Sequence, residues 1–142
     1  MAGDHPGMKR VDGAAFEAFS MRELTAASFD DGLREAGDAL AVVFFWGVDC
    51  FNCEVAKKTM LAQRDAIEAL GLRWFHANVY ADMALAKRFA LHGVPTFFFF
   101  HRGKKLGRAT GWHGLPQFRL AVAAAREKIA AAGGKTGSQE GS

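Results

Sequence analysis

The chain has 142 residues, 50% of them hydrophobic and 23% charged, a composition that fits one globular domain with a real core and excludes a wholly disordered chain. Two cysteines are too few for a disulfide-dense secreted scaffold or for a four-cysteine zinc site. Lys and Arg total 18 against 15 acids, a net charge of +3, too mild an excess to point to nucleic acid.

No apolar run approaches the roughly 18 to 20 residues of a membrane helix, so no membrane span is expected. Met1 to Arg10 contains Asp4, His5, Pro6, Lys9 and Arg10 without an apolar core segment. It does not read as a signal peptide, and the cytoplasm is the expected compartment. Residues 1–14, with Gly, Asp and Pro and no periodicity, and residues 133–142, rich in Gly, Ser, Thr and charge, read as flexible tails around one domain spanning 15–132.

Between the tails, strand and helix patterns alternate. Phe16 to Leu24 reads as a first strand. Thr25 to Ala36 reads as a helix capped by Thr25, with Phe29, Leu33 and Ala36 on one face. Ala39 to Trp46 is a continuous apolar run rich in Val and Phe, as in a strand buried on both faces. Cys50 to Leu70 predicts one long helix stopped by Gly71. Leu72 to Tyr80 predicts a strand, and Asp82 to Leu91 a short helix capped by Asp82. Thr96 to His101 and Lys105 to Gly111 flank the polar turn Arg102-Gly103-Lys104 and predict a hairpin. Pro116 starts a last helix, with Phe118, Val122, Ala125 and Ile129 as its apolar stripe. The order β-α-β-α-β-α-β-β-α implies an α/β fold. Early parallel strands and a late antiparallel hairpin make one mixed sheet, with helices on both faces.

The chemistry sits in Phe45-Trp46-Gly47-Val48-Asp49-Cys50-Phe51-Asn52-Cys53. Two cysteines three apart follow a buried strand and open a helix. A helix N-terminus leaves unpaired N–H groups and a positive dipole end, which stabilise a thiolate. The first cysteine can then be exposed and deprotonated, while the second, about one turn further in, can close a disulfide. Such a pair is also half of a zinc site. The remaining ligands would have to be histidines, and His5, His76, His92, His101 and His113 show no paired spacing, so no metal is expected.

In these residues the chain resembles the thioredoxin family, over roughly Phe16 to Ala132. Cys50 and Cys53 match the family's active-site cysteines and Trp46 the tryptophan before them. Gly93-Val94-Pro95-Thr96 matches the loop that holds its cis-proline, and Gly103 and Gly111 match the glycines of its final hairpin. Ala77-Asn78-Val79 and Thr110-Gly111-Trp112 also resemble, more loosely, the periplasmic thioredoxin-like domain of membrane thiol-disulfide interchange proteins. The family resemblance implies thiol-disulfide exchange on protein disulfides in the reducing direction, with Cys50 as nucleophile and Cys53 as resolving thiol; the alternative readings are a disulfide oxidase or isomerase in an oxidising compartment, and a non-catalytic thioredoxin-like module used for binding or for zinc through Cys50 and Cys53. Val94 and Pro95 would hold the substrate chain near Cys50, with Trp46 beside it, and an electron-donating reductase would be required; Trp112 reads either as a further substrate contact beside the site or as a packing residue. No prosthetic group is implied.

The departures from the family pattern are informative. Phe51-Asn52 replaces the usual Gly-Pro between the cysteines, and Asp49 replaces a second tryptophan. The family's buried aspartate aligns with Phe44, its buried lysine with His76, and its helix-kinking proline with Lys58. His76 reads either as a core histidine with one hydrogen bond or as the replacement for the missing acid. In the second case its imidazole, with an ordinary pKa near 6.5, would accept the Cys53 proton. His92 and His113 fall on loops expected around the cysteines and read as surface. Arg102, Lys104, Lys105 and Arg108 read as a solvated turn, and Phe97 to Phe100 as a buried strand.

Overall fold

The computed structural model of the chain describes residues 13–141, with side chains through residue 133. The expected N-terminal tail lies outside the described residues, apart from Gly13 and Ala14. Among the described residues six α-helices, α1 (Ala14–Ala18), α2 (Phe29–Leu33), α3 (Phe51–Ala62), α4 (Arg64–Glu68), α5 (Met83–Arg88) and α6 (Leu115–Gly141), accompany five strands. The strands are β1 (Arg22–Glu23), β2 (Leu40–Trp46), β3 (Arg73–Asn78), β4 (Thr96–His101) and β5 (Lys104–Thr110). They form one sheet in the order β1-β3-β2-β4-β5. Strand β3 runs parallel to β1 and β2, whereas β4 is antiparallel to β2 and β5.

The α/β architecture read from the sequence is the one observed, with four local differences. The expected first strand over Phe16 to Leu24 is instead helix α1 followed by a two-residue strand. The single helix expected over Cys50 to Leu70 breaks at Gln63, whose φ of −115° and ψ of 35° leave the helical region and separate α3 from α4. The helix expected over Thr25 to Ala36 is shorter, Phe29–Leu33 with a 3-10 turn over Arg34–Ala36. Thr25 and Ser28 hydrogen-bond each other there, using local polar groups to hold a turn rather than to extend the helix. Helix α6 continues past Ala132 into the stretch read from composition as a tail. The alanines leading up to it are the strongest helix formers and carry the helical register forward.

Strand β2 explains the two-layer core. All seven of its residues are buried, and its side chains alternate between faces. Leu40, Val42, Phe44 and Trp46 join Met60 of α3 and Phe118 and Val122 of α6 in one cluster. Ala41, Val43 and Phe45 join Phe29 of α2, Leu85 of α5 and the neighbouring Phe89 in the other. Strand β4 repeats the division, with Phe97 and Phe99 on the first face and Phe98 and Phe100 on the second. The pairing of Phe44 with His76 on one side and Phe97 on the other sets the register. It brings the end of β2 and the start of α3 next to the loop that opens β4. Among the described residues no helix is long and apolar enough to cross a membrane.

Candidate active site

The turn from β2 into α3 delivers the two cysteines. Asp49 adopts a left-handed backbone with φ of 57°, a conformation that short polar residues tolerate. It turns the chain so that Cys50 becomes the N-cap of α3. The Cys50 sulfur accepts a hydrogen bond from the Cys53 backbone N–H at 3.1 Å, so the helix start solvates it directly. Cys50 is half-buried, whereas Cys53 is 0% exposed. The two are joined as a disulfide with their Cα atoms 5.2 Å apart.

The loop before β4 lies against this pair. The Val94–Pro95 peptide is cis, and Val94 O lies 3.7 Å from Cys50 Sγ. Thr96 Oγ1 donates to Gly93 O at 2.8 Å, and Gly111 N donates to Pro95 O at 2.7 Å. These bonds fasten the loop to itself and to the end of β5. Trp112 follows, half-buried, with its ring 5.8 Å from Phe97 and 5.6 Å from Phe118. It packs onto the core while one side stays open. Beside Val94 lies a groove of about 180 Å³ whose lining includes Tyr80, Met83, Ala86, Leu91 and His92.

Exposed apolar surface is concentrated here. Five of the six large exposed apolar side chains among the described residues, Val48, Phe51, Val55, Tyr80 and Met83, flank the cysteines or line the groove. The sixth is Leu120 on α6. Gly47 permits the arrangement: a Cβ there would come within 2.7 Å of the Tyr80 ring, so its absence lets Tyr80 lie against the chain entering the cysteine turn.

Beneath the cysteines sits a polar cluster inside the core. Trp46, 5% exposed, donates from Nε1 to His76 Nδ1 at 3.0 Å. Phe16 stacks on the imidazole at 3.8 Å with an interplanar angle of 2°. Burial, and secondarily the positive charge of Lys57, push the His76 pKa from 6.5 down to about 4. The imidazole is therefore neutral near pH 7. Because Nδ1 accepts the Trp46 N–H, the ring proton of this tautomer is on Nε2. Taking a further proton at Nδ1 would release Trp46. Lys57 itself is buried, with Nζ 3.0 Å from Glu54 Oε2 and lying 5.1 and 5.6 Å from the Phe16 and Trp46 ring centres.

The structure thus gathers Trp46, Cys50, Cys53, Val94, Pro95 and His76 around one turn, with Trp112 at its edge. His113 turns away to Thr110 O, 3.0 Å from its Nε2. The basic residues of the hairpin are engaged elsewhere: Arg102 with Asp38, Lys105 over Phe98, and Arg108 with the carbonyls of Phe89 and Ala90. Sequence reading passed over Lys57, Tyr80 and Met83. For Lys57 a signal was present, since it lies four residues after Cys53 and three before Met60, the spacing of one helix face.

A family model described as a thioredoxin-like domain matches residues 32–126. The chain belongs to the thioredoxin-like family. Among solved structures this family member is similar to the thioredoxin of Fasciola hepatica, at 25% identity and a TM-score of 0.63, over 72% of this chain and 97% of that one. It is also similar to thioredoxin f from spinach chloroplast, at 25% identity and a TM-score of 0.62, over 75% of this chain and 93% of that one. Thioredoxin f2 of Chlamydomonas reinhardtii, at 21% identity and a TM-score of 0.59 over 72% and 92%, shares the fold. No curated protein matches the chain. This thioredoxin-like chain therefore has the general fold of thiol-disulfide oxidoreductases, with a Cys-x-x-Cys pair at disulfide distance.

Proposed function

We propose that the protein reduces disulfide bonds in other proteins, using Cys50 and Cys53 as its dithiol. The observation that carries this reading is the asymmetry of the pair. Cys50 sits at a helix N-cap, half-open to solvent and solvated by a backbone N–H, while Cys53 is fully enclosed. An attacking thiol needs access and a stabilised thiolate; a resolving thiol needs only to reach its neighbour.

The Cys50 thiolate attacks one sulfur of a substrate disulfide. A bond forms between Cys50 Sγ and that sulfur, and the other substrate sulfur leaves as a thiolate. Cys53 then gives up its proton and attacks Cys50 Sγ. The Cys50–Cys53 disulfide forms, and the second substrate thiolate departs. Two electrons have moved from the dithiol to the substrate, and a reductase must return them. Val94 and Pro95 face the substrate chain, and Trp112 borders it. Trp46 supports the cysteine turn from below, held in orientation by His76. The neighbouring groove receives a side chain of the substrate. This reading belongs to a reducing compartment, the cytoplasm, where an unbridged pair is maintained.

The test is reduction of insulin with dithiothreitol as the electron source. The wild-type protein accelerates precipitation of the freed insulin chain, and Cys50→Ser abolishes the acceleration. Wild-type protein no faster than dithiothreitol alone would rule the reading out.

A further inference from the structure

The mechanism leaves Cys53 with an electrostatic problem. It must become a thiolate while 0% exposed, and burial in apolar surroundings disfavours that charge. The helix N-terminus serves Cys50, whose sulfur receives the N–H. Its influence fades within the first turn. Trp46 and His76, the polar rings below, are both uncharged near pH 7.

Lys57 is the positive group the fold has placed there. Its side chain is 3% exposed, although an ammonium is expensive to bury and the next residue, Lys58, is exposed. Cys53 and Lys57 lie on the same buried face of α3, one helical turn apart. Helical side chains lean toward the N-terminus, and the ion pair of Lys57 with Glu54, three residues earlier, shows that this one does. Its Nζ is thereby brought back to the turn that contains Cys53, under Trp46.

We propose that Lys57 is a positioning residue for the second step: its ammonium stabilises the Cys53 thiolate as it forms and so speeds resolution of the mixed disulfide. Glu54 holds the ammonium in place and partly offsets its charge. This rests on the dithiol reading above. An opposite charge within about 4 to 6 Å typically lowers the pKa of an acidic group by roughly 1 to 3 pH units. Each such unit raises the thiolate fraction about tenfold, while lower basicity costs about threefold in nucleophilicity. The net acceleration is roughly threefold per unit, or about 3- to 30-fold in all.

The reaction with 5,5′-dithiobis(2-nitrobenzoate) separates the two steps. Attack by Cys50 releases one thionitrobenzoate at a rate proportional to reagent concentration. Attack by Cys53 on the Cys50 adduct releases the second at a rate independent of it. Lys57→Met, which keeps length without charge, should slow the second phase about 3- to 30-fold and leave the first within twofold. Glu54→Gln should leave the second phase equal or faster, since it removes the opposing charge. An unchanged second phase in Lys57→Met, or equal slowing of both phases, overturns the proposal. So does a threefold or greater slowing of the second phase in Glu54→Gln, which would make Glu54 the base. Failure of wild type to release two equivalents would instead refute the dithiol reading itself.

Discussion

Acidification should weaken this fold through His76, whose buried imidazole resists taking a proton. In the unfolded chain an imidazole titrates near 6.5, and in the folded protein burial, aided by Lys57, holds His76 at about 4. Between these values the unfolded chain carries a proton on this ring and the folded protein does not. The unfolded state binds more protons there, so stability rises with pH across this window and is lost as pH falls through it. The gap is worth about 3 kcal/mol, at roughly 1.4 kcal/mol per pH unit. The contribution is intact above about pH 6.5 and gone below about pH 4. Urea unfolding of wild type and His76→Gln at pH 7, 5.5 and 4 isolates it from the titration of carboxylates, which both proteins share. Between pH 7 and 4 the wild type should lose about 3 kcal/mol more than the variant. A companion variant, His76→Leu, leaves the Trp46 N–H buried without its acceptor and should cost about 1 to 3 kcal/mol at pH 7. Parallel decline of wild type and His76→Gln, to within about 0.5 kcal/mol, would refute the reasoning, because His76 would then titrate alike in both states.

Other substitutions probe the groove and the core. Gly47→Ala should displace the Tyr80 ring, which its Cβ would approach within 2.7 Å. The expected result is a higher KM for a protein disulfide, with unchanged rates on a small aromatic disulfide. Met83→Ser, which removes an exposed apolar wall, should act in the same direction. Gly32→Ala drives a Cβ into Leu24 within the core and should destabilise by about 1 to 3 kcal/mol, measured by urea unfolding. Trp46 fluorescence should report on His76, since the indole N–H donates to it: acid titration of folded protein toward pH 4 should change the emission of wild type but not of His76→Gln.

The α/β architecture was legible because the elements that carry it have strong, unambiguous patterns. The apolar run Leu40–Trp46 has the length and the Val and Phe content of a doubly buried strand, and the Phe97 to Phe100 block completes the same core. The cysteine pair was legible because its spacing and its place at a strand-to-helix turn are read directly from the chain. The N-terminal segment was misread because Phe16, Phe19, Met21 and Leu24 recur every two or three residues, a spacing that fits neither a strand nor a helix cleanly. In the fold Phe16 belongs to α1 and stacks on His76, a tertiary contact that no local pattern encodes. The break at Gln63 was invisible for a related reason, since apolar spacing continues through Met60, Leu61 and Ile67 on both sides of it. Lys57 was passed over because a lysine in a helix ordinarily faces water. Its burial depends on rings brought in by α1 and β2. For His76 the sequence left two readings, core residue or proton acceptor. The structure adds that its Nδ1 lone pair is occupied by Trp46, which favours an orienting role.

The central claim is that Cys50 is the attacking thiol and Cys53 the one that resolves. It is tested most directly by incubating Cys53→Ser with a protein of known accessible disulfide, quenching with acid, and mapping the adduct by mass spectrometry. The account predicts a stable mixed disulfide between Cys50 and one substrate cysteine, and little or no adduct when Cys50→Ser is treated the same way. An adduct that forms on Cys53 in Cys50→Ser as readily as on Cys50 in Cys53→Ser, or no adduct in either, would contradict it.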